Sequence, residues 1–380
     1  MIVRQFLRWV KTAQAGERAD ASGALARAYL YSELSREDRR EAEAALLLLL
    51  DDPSPLVRTA LAESLGSHRE APAGIILALA GDQIDIAEIV LARSPVLSDG
   101  ELVEVIGEGD ERRQEAVALR ASVSAPISAA IAEVGCASAC LTLIENDGAD
   151  IPGFALGRIV ARFGHLPAVR EALLARADLP AEAHQALIRS VADVLSAFVV
   201  QRQWLPPEQA ARMTREACEK ATVTLAEDRA SGDIRALVEH LRANGQLTAG
   251  LVLRSLLSGH VRLFFEAISL LSGLPAPKVA ALAADRTGTA FRALYDKAGM
   301  PRGAYTAFRA ALEVVLEANY VDEEGPVHSG LKRRIVERVM ERYRAGRSGE
   351  ELDQLLTVLR RWQMEAAREE ARLLGAELAA

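Results

Sequence analysis

Asp51-Asp-Pro-Ser-Pro-Leu-Val-Arg-Thr-Ala-Leu-Ala-Glu-Ser-Leu65 is the stretch on which the fold reading turns. Asp51-Asp-Pro53 breaks the chain. Ser54 can then cap a helix, and Pro55 takes its first position, where no N–H is needed. The helix runs from Leu56 to Leu65, carries Leu56, Ala60 and either Ala62 or Ser64 about one turn apart, and stops at Gly66. Upstream, Ser35-Arg-Glu-Asp38 opens a helix running through Leu50. Downstream, Ser98-Asp-Gly-Glu101 reads as a capping box with Leu102, Val103 and Ile106 behind it. Ser124-Ala-Pro126 opens another helix, bearing Ile127, Ala130, Ile131 and Val134 and stopping at Gly135. Asn146-Asp-Gly148 and Ile151-Pro-Gly153 are further breaks.

Short helices separated by tight turns, at roughly 30 to 40 residues per pair, are the signature of an α-solenoid. Each helix buries its apolar side only against its neighbours. No segment shows sustained alternation with period two, so no strand is expected. Composition agrees: half of the 380 residues are apolar but only 4% are aromatic, leaving mostly Ala, Leu, Val and Ile. Ala and Leu favour helices, whereas a β-sandwich draws on aromatic and β-branched residues. The middle of the chain has longer helices, one from Leu179 to Val200 and one opened by Pro206-Pro207 and running to Glu227. Short ones resume from Ser231 to about Tyr320, with breaks at Gly245, Gly259, Gly273, Gly288 and Gly299. Asp322-Glu-Glu-Gly-Pro326 is the candidate hinge, followed by helices over Ser329–Tyr343 and Glu350–Leu374. The expected organisation is an all-α superhelical array over 1–200, its continuation over 201–325 and a C-terminal helix pair over 326–380.

Two sets of residues carry a resemblance. The 51–65 stretch resembles the second helix of a HEAT repeat, where an Asp-x-x-x-x-Val-Arg run is common. Ser94-Pro-Val-Leu-Ser-Asp99, Gln114-Glu-Ala-Val-Ala118 and Asn146-Asp-Gly-Ala-Asp-Ile151, in that order, resemble the bacterial family known as domain of unknown function 2336. The likeness extends more loosely to about residue 320. It implies HEAT/ARM-like helical repeats and supplies no catalytic residues.

The formal charge of −8 opposes a whole-protein nucleic-acid binder, since affinity for phosphates needs positive charge. Against that background Lys332, Arg333, Arg334, Arg338, Arg342, Arg344 and Arg347 form a local basic cluster beside an Ile335/Val339/Tyr343 stripe. It reads as a docking patch for an acidic partner, or as a solvated face paired with Asp322, Glu323 and Glu324. Leu352, Leu355, Leu359, Trp362 and Leu373 follow heptad spacing, interrupted by Glu369. That seam either joins two subunits as a homodimer or packs back on the array. Ile2, Val3, Phe6, Leu7 and Val10, with Arg4, Arg8 and Lys11 nearby, make an amphipathic start that reads as a cap on the first repeat or a membrane-surface helix.

Cys136, Cys140 and Cys218 are an odd set with no disulfide or zinc spacing, which points to a reducing compartment. Cys136 and Cys140 share a helix face and read as small interior residues. The six histidines are scattered, and no Gly-x-Ser-x-Gly elbow, Walker loop or dinucleotide fingerprint occurs. No run of about 18 apolar residues stands out as a membrane span. The expectation is a cytoplasmic, non-enzymatic scaffold that binds protein partners and needs no metal or cofactor. A nucleic-acid binder using the 332–347 patch, and an enzyme with a site assembled in space, are the alternatives.

Overall fold

A computed structural model describes residues 6, 8–227, 231–285, 287–319, 336–341, 357, 359–365, 367–368 and 371–372. Among them no strand forms; the one β-feature is an isolated bridge between Val123 and Ala149. The chain divides into two compact units, Met1–Leu179 and Pro180–Ala380. The division places the long helix that starts at Ala181 in the second unit.

The first unit contains α1 (Ala15–Tyr31), α2 (Arg36–Leu49), α3 (Pro55–Leu65), α4 (Ala73–Ala80), α5 (Ile84–Arg93), α6 (Asp99–Gly107), α7 (Glu111–Ala118), α8 (Ala125–Val134), α9 (Ala137–Glu145), α10 (Gly153–Phe163) and α11 (Pro167–Ala175). Helices two apart are neighbours: α1, α3, α5, α7, α9 and α11 form one row, and α6, α8 and α10 form another. The expected helix starts hold. Ser35 Oγ accepts from the Asp38 N–H, Ser98 and Glu101 complete their capping box, and Pro55 opens α3. Two details differ. The Ser54 side chain does not cap α3; instead the Ser54 N–H donates to Asp52 Oδ1 at 2.9 Å. And α3 buries Val57, Leu61, Ala62 and Leu65, leaving Leu56 exposed. Neighbours α1 and α5 lie on the Val57 side, and that decides which stripe is covered.

These helices end inside the stack, so their last carbonyls lack intrahelical donors. Long side chains from later helices supply them. Arg113 donates to Ala80 O and Asp82 O at the end of α4, and Arg120 to Leu91 O and Ser94 O at the end of α5. Asn146 Nδ2 donates to Ala118 O and Arg120 O past α7, Arg162 to Ala132 O and Gly135 O past α8, and Arg176 to Ile144 O past α9. Gln114 closes α6 through Ile106 O while its Oε1 accepts the Cys136 N–H. At the front of the ladder, Arg58 binds both carboxylate oxygens of Asp82 and the carbonyl of Asp52. The Asp52 carboxylate in turn receives Arg18 at 2.7 and 2.8 Å. Asp52 and Arg58 of the 51–65 stretch therefore form one rung joining α1, the start of α3 and the α4–α5 turn.

The Asn146-Asp-Gly148 break is also a rung. The Val123 N–H donates to Gly148 O, and the Asp150 N–H to Val123 O. A Cβ on Gly148 would lie 2.0 Å from the Ala121 carbonyl oxygen, so only glycine permits this approach.

The second unit contains α12 (Ala181–Gln201), α13 (Pro207–Glu227), α14 (Ser231–Ala243), α15 (Ala249–Leu257), α16 (Val261–Ser272), α17 (Ala276–Ala283), α18 (Thr289–Lys297), a 3-10 turn (Arg302–Ala304) and α19 (Tyr305–Asn319). Alternate helices again pack together in the row α12–α14–α16–α18, and α15 packs on both α13 and α19. The five expected breaks coincide with helix ends, and at Gly273 the backbone turns left-handed (φ 70°) to close α16. Most of the chain's few aromatics gather here: Phe264, Phe291, Tyr295 and Phe308 are fully buried. Tyr295 Oη donates to Pro301 O at 2.7 Å.

Two outcomes follow from the ladder. Arg162→Met leaves Ala132 O and Gly135 O without donors and lowers the unfolding free energy by about 2–3 kcal/mol. Arg158→Met on the same helix removes only an exposed pair with Glu133 and costs less than about 1 kcal/mol; urea titration followed by circular dichroism separates them. The Asp52 carboxyl is held below its ordinary range, first by the Arg18 hydrogen bonds. A depressed carboxylate stabilises the fold above its unfolded pKa and loses that contribution as pH falls through the folded value. Asp52→Asn is therefore less stable than wild type at pH 7, and the difference shrinks below about pH 4, as melting at several pH values shows.

Candidate interaction surface

The basic cluster falls largely on residues beyond the described ones: Lys332, Arg333, Arg334, Arg342, Arg344 and Arg347 lie outside them, as does the 322–326 hinge. Arg338 is described, and it pairs with Glu317 of α19 at 3.0 Å. The intervening Val336, Val339 and Met340 are buried in the core of the second unit. Of the heptad seam, Leu352, Leu355 and Leu373 also lie outside the described residues. Leu359 and Trp362 are buried in the same core, as the packing-back alternative expects of them. The Arg254 guanidinium stacks on Trp362 at 4.8 Å and binds Glu365 at 3.1 Å, and Arg361 binds Glu216 at 2.6 Å.

The cysteines are interior. Cys140 is fully buried, and burial pushes its thiol up to about 11. Burial also raises Cys218. Cys136 is not within α9 but caps it, its Sγ accepting the Ala139 N–H. Among the described residues no three His, Cys, Asp or Glu side chains are placed to hold a metal ion. The His68 ring meets Tyr31 Oη at 3.0 Å, and burial lowers His240, with Glu182 opposing.

The surface that stands out is the outer half of α12. Its first half buries Ala181, Ala183, Gln185 and Leu187. Beyond Arg189, which pairs with Asp193, the helix exposes Val191, Val194 (65%), Leu195 (60%) and Phe198 (42%) at spacings of three and four. No charged residue occurs from Val194 to Gln201. The helix ends in a Schellman turn: the Gln203 N–H bonds to Val200 O and the Trp204 N–H to Val199 O. The left-handed position of that turn belongs to Gln203 (φ 57°), the one non-glycine with positive φ among the described residues. The turn throws Trp204, 66% exposed, back across Phe198 with ring centroids 5.7 Å apart, and Arg202 lies over the Phe198 ring at 5.2 Å.

By length and composition α12 could cross a bilayer, contrary to the expectation that no such segment exists. Gln185 and the buried first half are, however, spent on α13 and α14, an arrangement that spanning would dismantle.

Residues 86–353 match the family described as an uncharacterised protein conserved in bacteria, DUF2336. The chain belongs to this family. No curated protein and no solved structure matches it. The α12 face and its turn lie inside the region that defines DUF2336, as do most of the carbonyl-capping side chains. Sequence reasoning passed over the face because a long apolar helix is ordinarily a core helix. The available signal was its uncharged run ending in Phe198 and Trp204, two aromatics in a chain that has few.

Two measurements check this account. Gln203→Gly relieves the left-handed strain and raises stability by about 1 kcal/mol. In the native protein Cys136 alone reacts with Ellman's reagent at pH 8, whereas all three thiols react in denaturant.

Proposed function

We propose that this chain is a non-enzymatic protein-interaction module of HEAT-like superhelical repeats acting in the bacterial cytoplasm. In this reading the outer half of α12 is a face on which a protein partner docks. The observation that carries it is the exposed row Val191, Val194, Leu195 and Phe198, extended by Trp204. Contiguous apolar patches of several hundred Å² are uncommon on soluble monomers and mark interaction sites. Aromatic side chains beside an arginine are the residue types that dominate binding energy in interfaces. A left-handed turn at Gln203, kept at a cost, presents Trp204 on that face. Pairing of alternate helices through side-chain-to-carbonyl rungs supports the HEAT-like reading. Three free cysteines, two of them buried, suit a reducing cytoplasm.

Leu195→Glu tests the docking face. The position is exposed, so the variant melts within about 1 °C of wild type. Proteins cross-linked in a cell extract by the wild-type chain and lost with Leu195→Glu identify the partner. Identical captured sets from the two chains refute the proposal. Binding to duplex DNA is expected to be absent even at about 50 mM salt, where phosphate contacts are strongest; fluorescence anisotropy reads this out.

A further inference from the structure

A second surface lies in the first unit, between α4, α5 and α6. A cleft of about 150 Å³ opens there over Leu77, Leu91, Leu97 and Val105. Leu91 and Leu97 are buried floor, whereas Leu77 stands half exposed. A cavity of this size, lined by such residues, holds a group about as large as a benzene ring.

The rim is acidic. Glu101, Glu104 and Glu108 share the α6 face that lines the cleft. Glu101 accepts from the Ser98 N–H and Oγ at 2.7 Å, which holds its carboxyl below the ordinary range and keeps it ionised. Glu104 and Glu108 are four apart, a like-charge spacing that destabilises a helix. Both sit at the C-terminal end of α6, where the helix dipole already favours cations, and the last turn contains no basic residue. The one cation lining the cleft is Arg113. Its guanidinium donates to Ala80 O at 3.2 Å and Asp82 O at 2.8 Å, and reaches Glu108 only at 3.5 Å. Glu104 has no cationic partner among the described residues. The apolar slot and its misplaced negative charge therefore ask for the same ligand: an apolar anchor flanked by positive charge.

We propose that this cleft docks a basic amphipathic helix of a partner protein. One large apolar side chain enters against Leu77, and Lys or Arg one turn away faces Glu104 and Glu108. Helix-in-groove recognition works through such anchors at helical spacing. The inference extends the interaction-module reading to a separate surface, and its test leaves α12 untouched, so either can fail alone.

The probe is a fluorescein-labelled amphipathic peptide of Leu and Lys, titrated into the full chain by anisotropy at low and moderate salt. Its counterpart has Glu in place of every Lys. The Leu–Lys peptide binds with a salt-sensitive affinity and the Leu–Glu peptide does not. Leu77→Lys and Glu104→Lys each weaken binding at least tenfold, while Glu104→Lys melts at or above the wild-type temperature. Glu171→Lys, an equal charge change on α11, leaves binding within twofold. Equal loss with Glu171→Lys would mean that net charge alone attracts the peptide, and unchanged binding by Leu77→Lys would mean that the slot is not used. Either result, or no binding by the wild-type chain, overturns the proposal.

Discussion

A helix that stops inside a stack of helices leaves carbonyl oxygens that water cannot reach, and the first unit depends on how those oxygens are paired. Arg113, Arg120, Asn146, Arg162 and Arg176 each reach back about thirty residues to the end of an earlier helix. Charge-assisted bonds of this kind exceed the worth of ordinary surface ion pairs, because the alternative is a buried, unpaired acceptor. They also set register. A guanidinium that must meet two carbonyls holds one helix pair at a defined offset from the next, which apolar Ala and Leu surfaces alone would leave loosely specified. Gly148 adds a steric limit to the same joint by letting two backbones approach where any side chain would collide.

The second unit solves the problem differently. Four of its helices close on glycine turns, and its largely aliphatic core adds a cluster of aromatic rings. The C-terminal residues Leu359 and Trp362 complete that core, with Arg254 beneath the indole. Against this economy the bare face of α12 is an exception. Its first half buries one side against its neighbours, and its second half exposes an apolar row. Local agreement between pattern and burial is the general condition of a well-specified fold, and departures concentrate where function has imposed a cost. The strained Gln203 turn and the like-charged end of α6 are departures of the same kind.

Much of the fold was legible because its signals are local. Ser35, Ser98 with Glu101, Pro55 and the glycine breaks act through bonds within a few residues, and each marks a boundary that the structure keeps. Ser54 misled because Asp52, two residues earlier, has an oxygen in better position for the Ser54 N–H. Leu359 and Trp362 left two alternatives open because heptad spacing describes a stripe without naming what lies against it. The α12 face was hidden by the converse ambiguity, since an apolar run reads the same whether or not it is covered.

From its sequence alone this chain is determined to be helical, with helices of given length and order and a family membership carried by short motifs. Caps, turns and propensities are summed over neighbours in the chain, so they need no fold to be read. Which stripe of α3 is buried, which carbonyls Arg120 and Arg162 find, and which half of α12 meets solvent were decided only in the tertiary structure. Burial and hydrogen-bond pairing are sums over neighbours in space. In this protein those neighbours lie about thirty residues away along the chain, beyond the reach of any local signal.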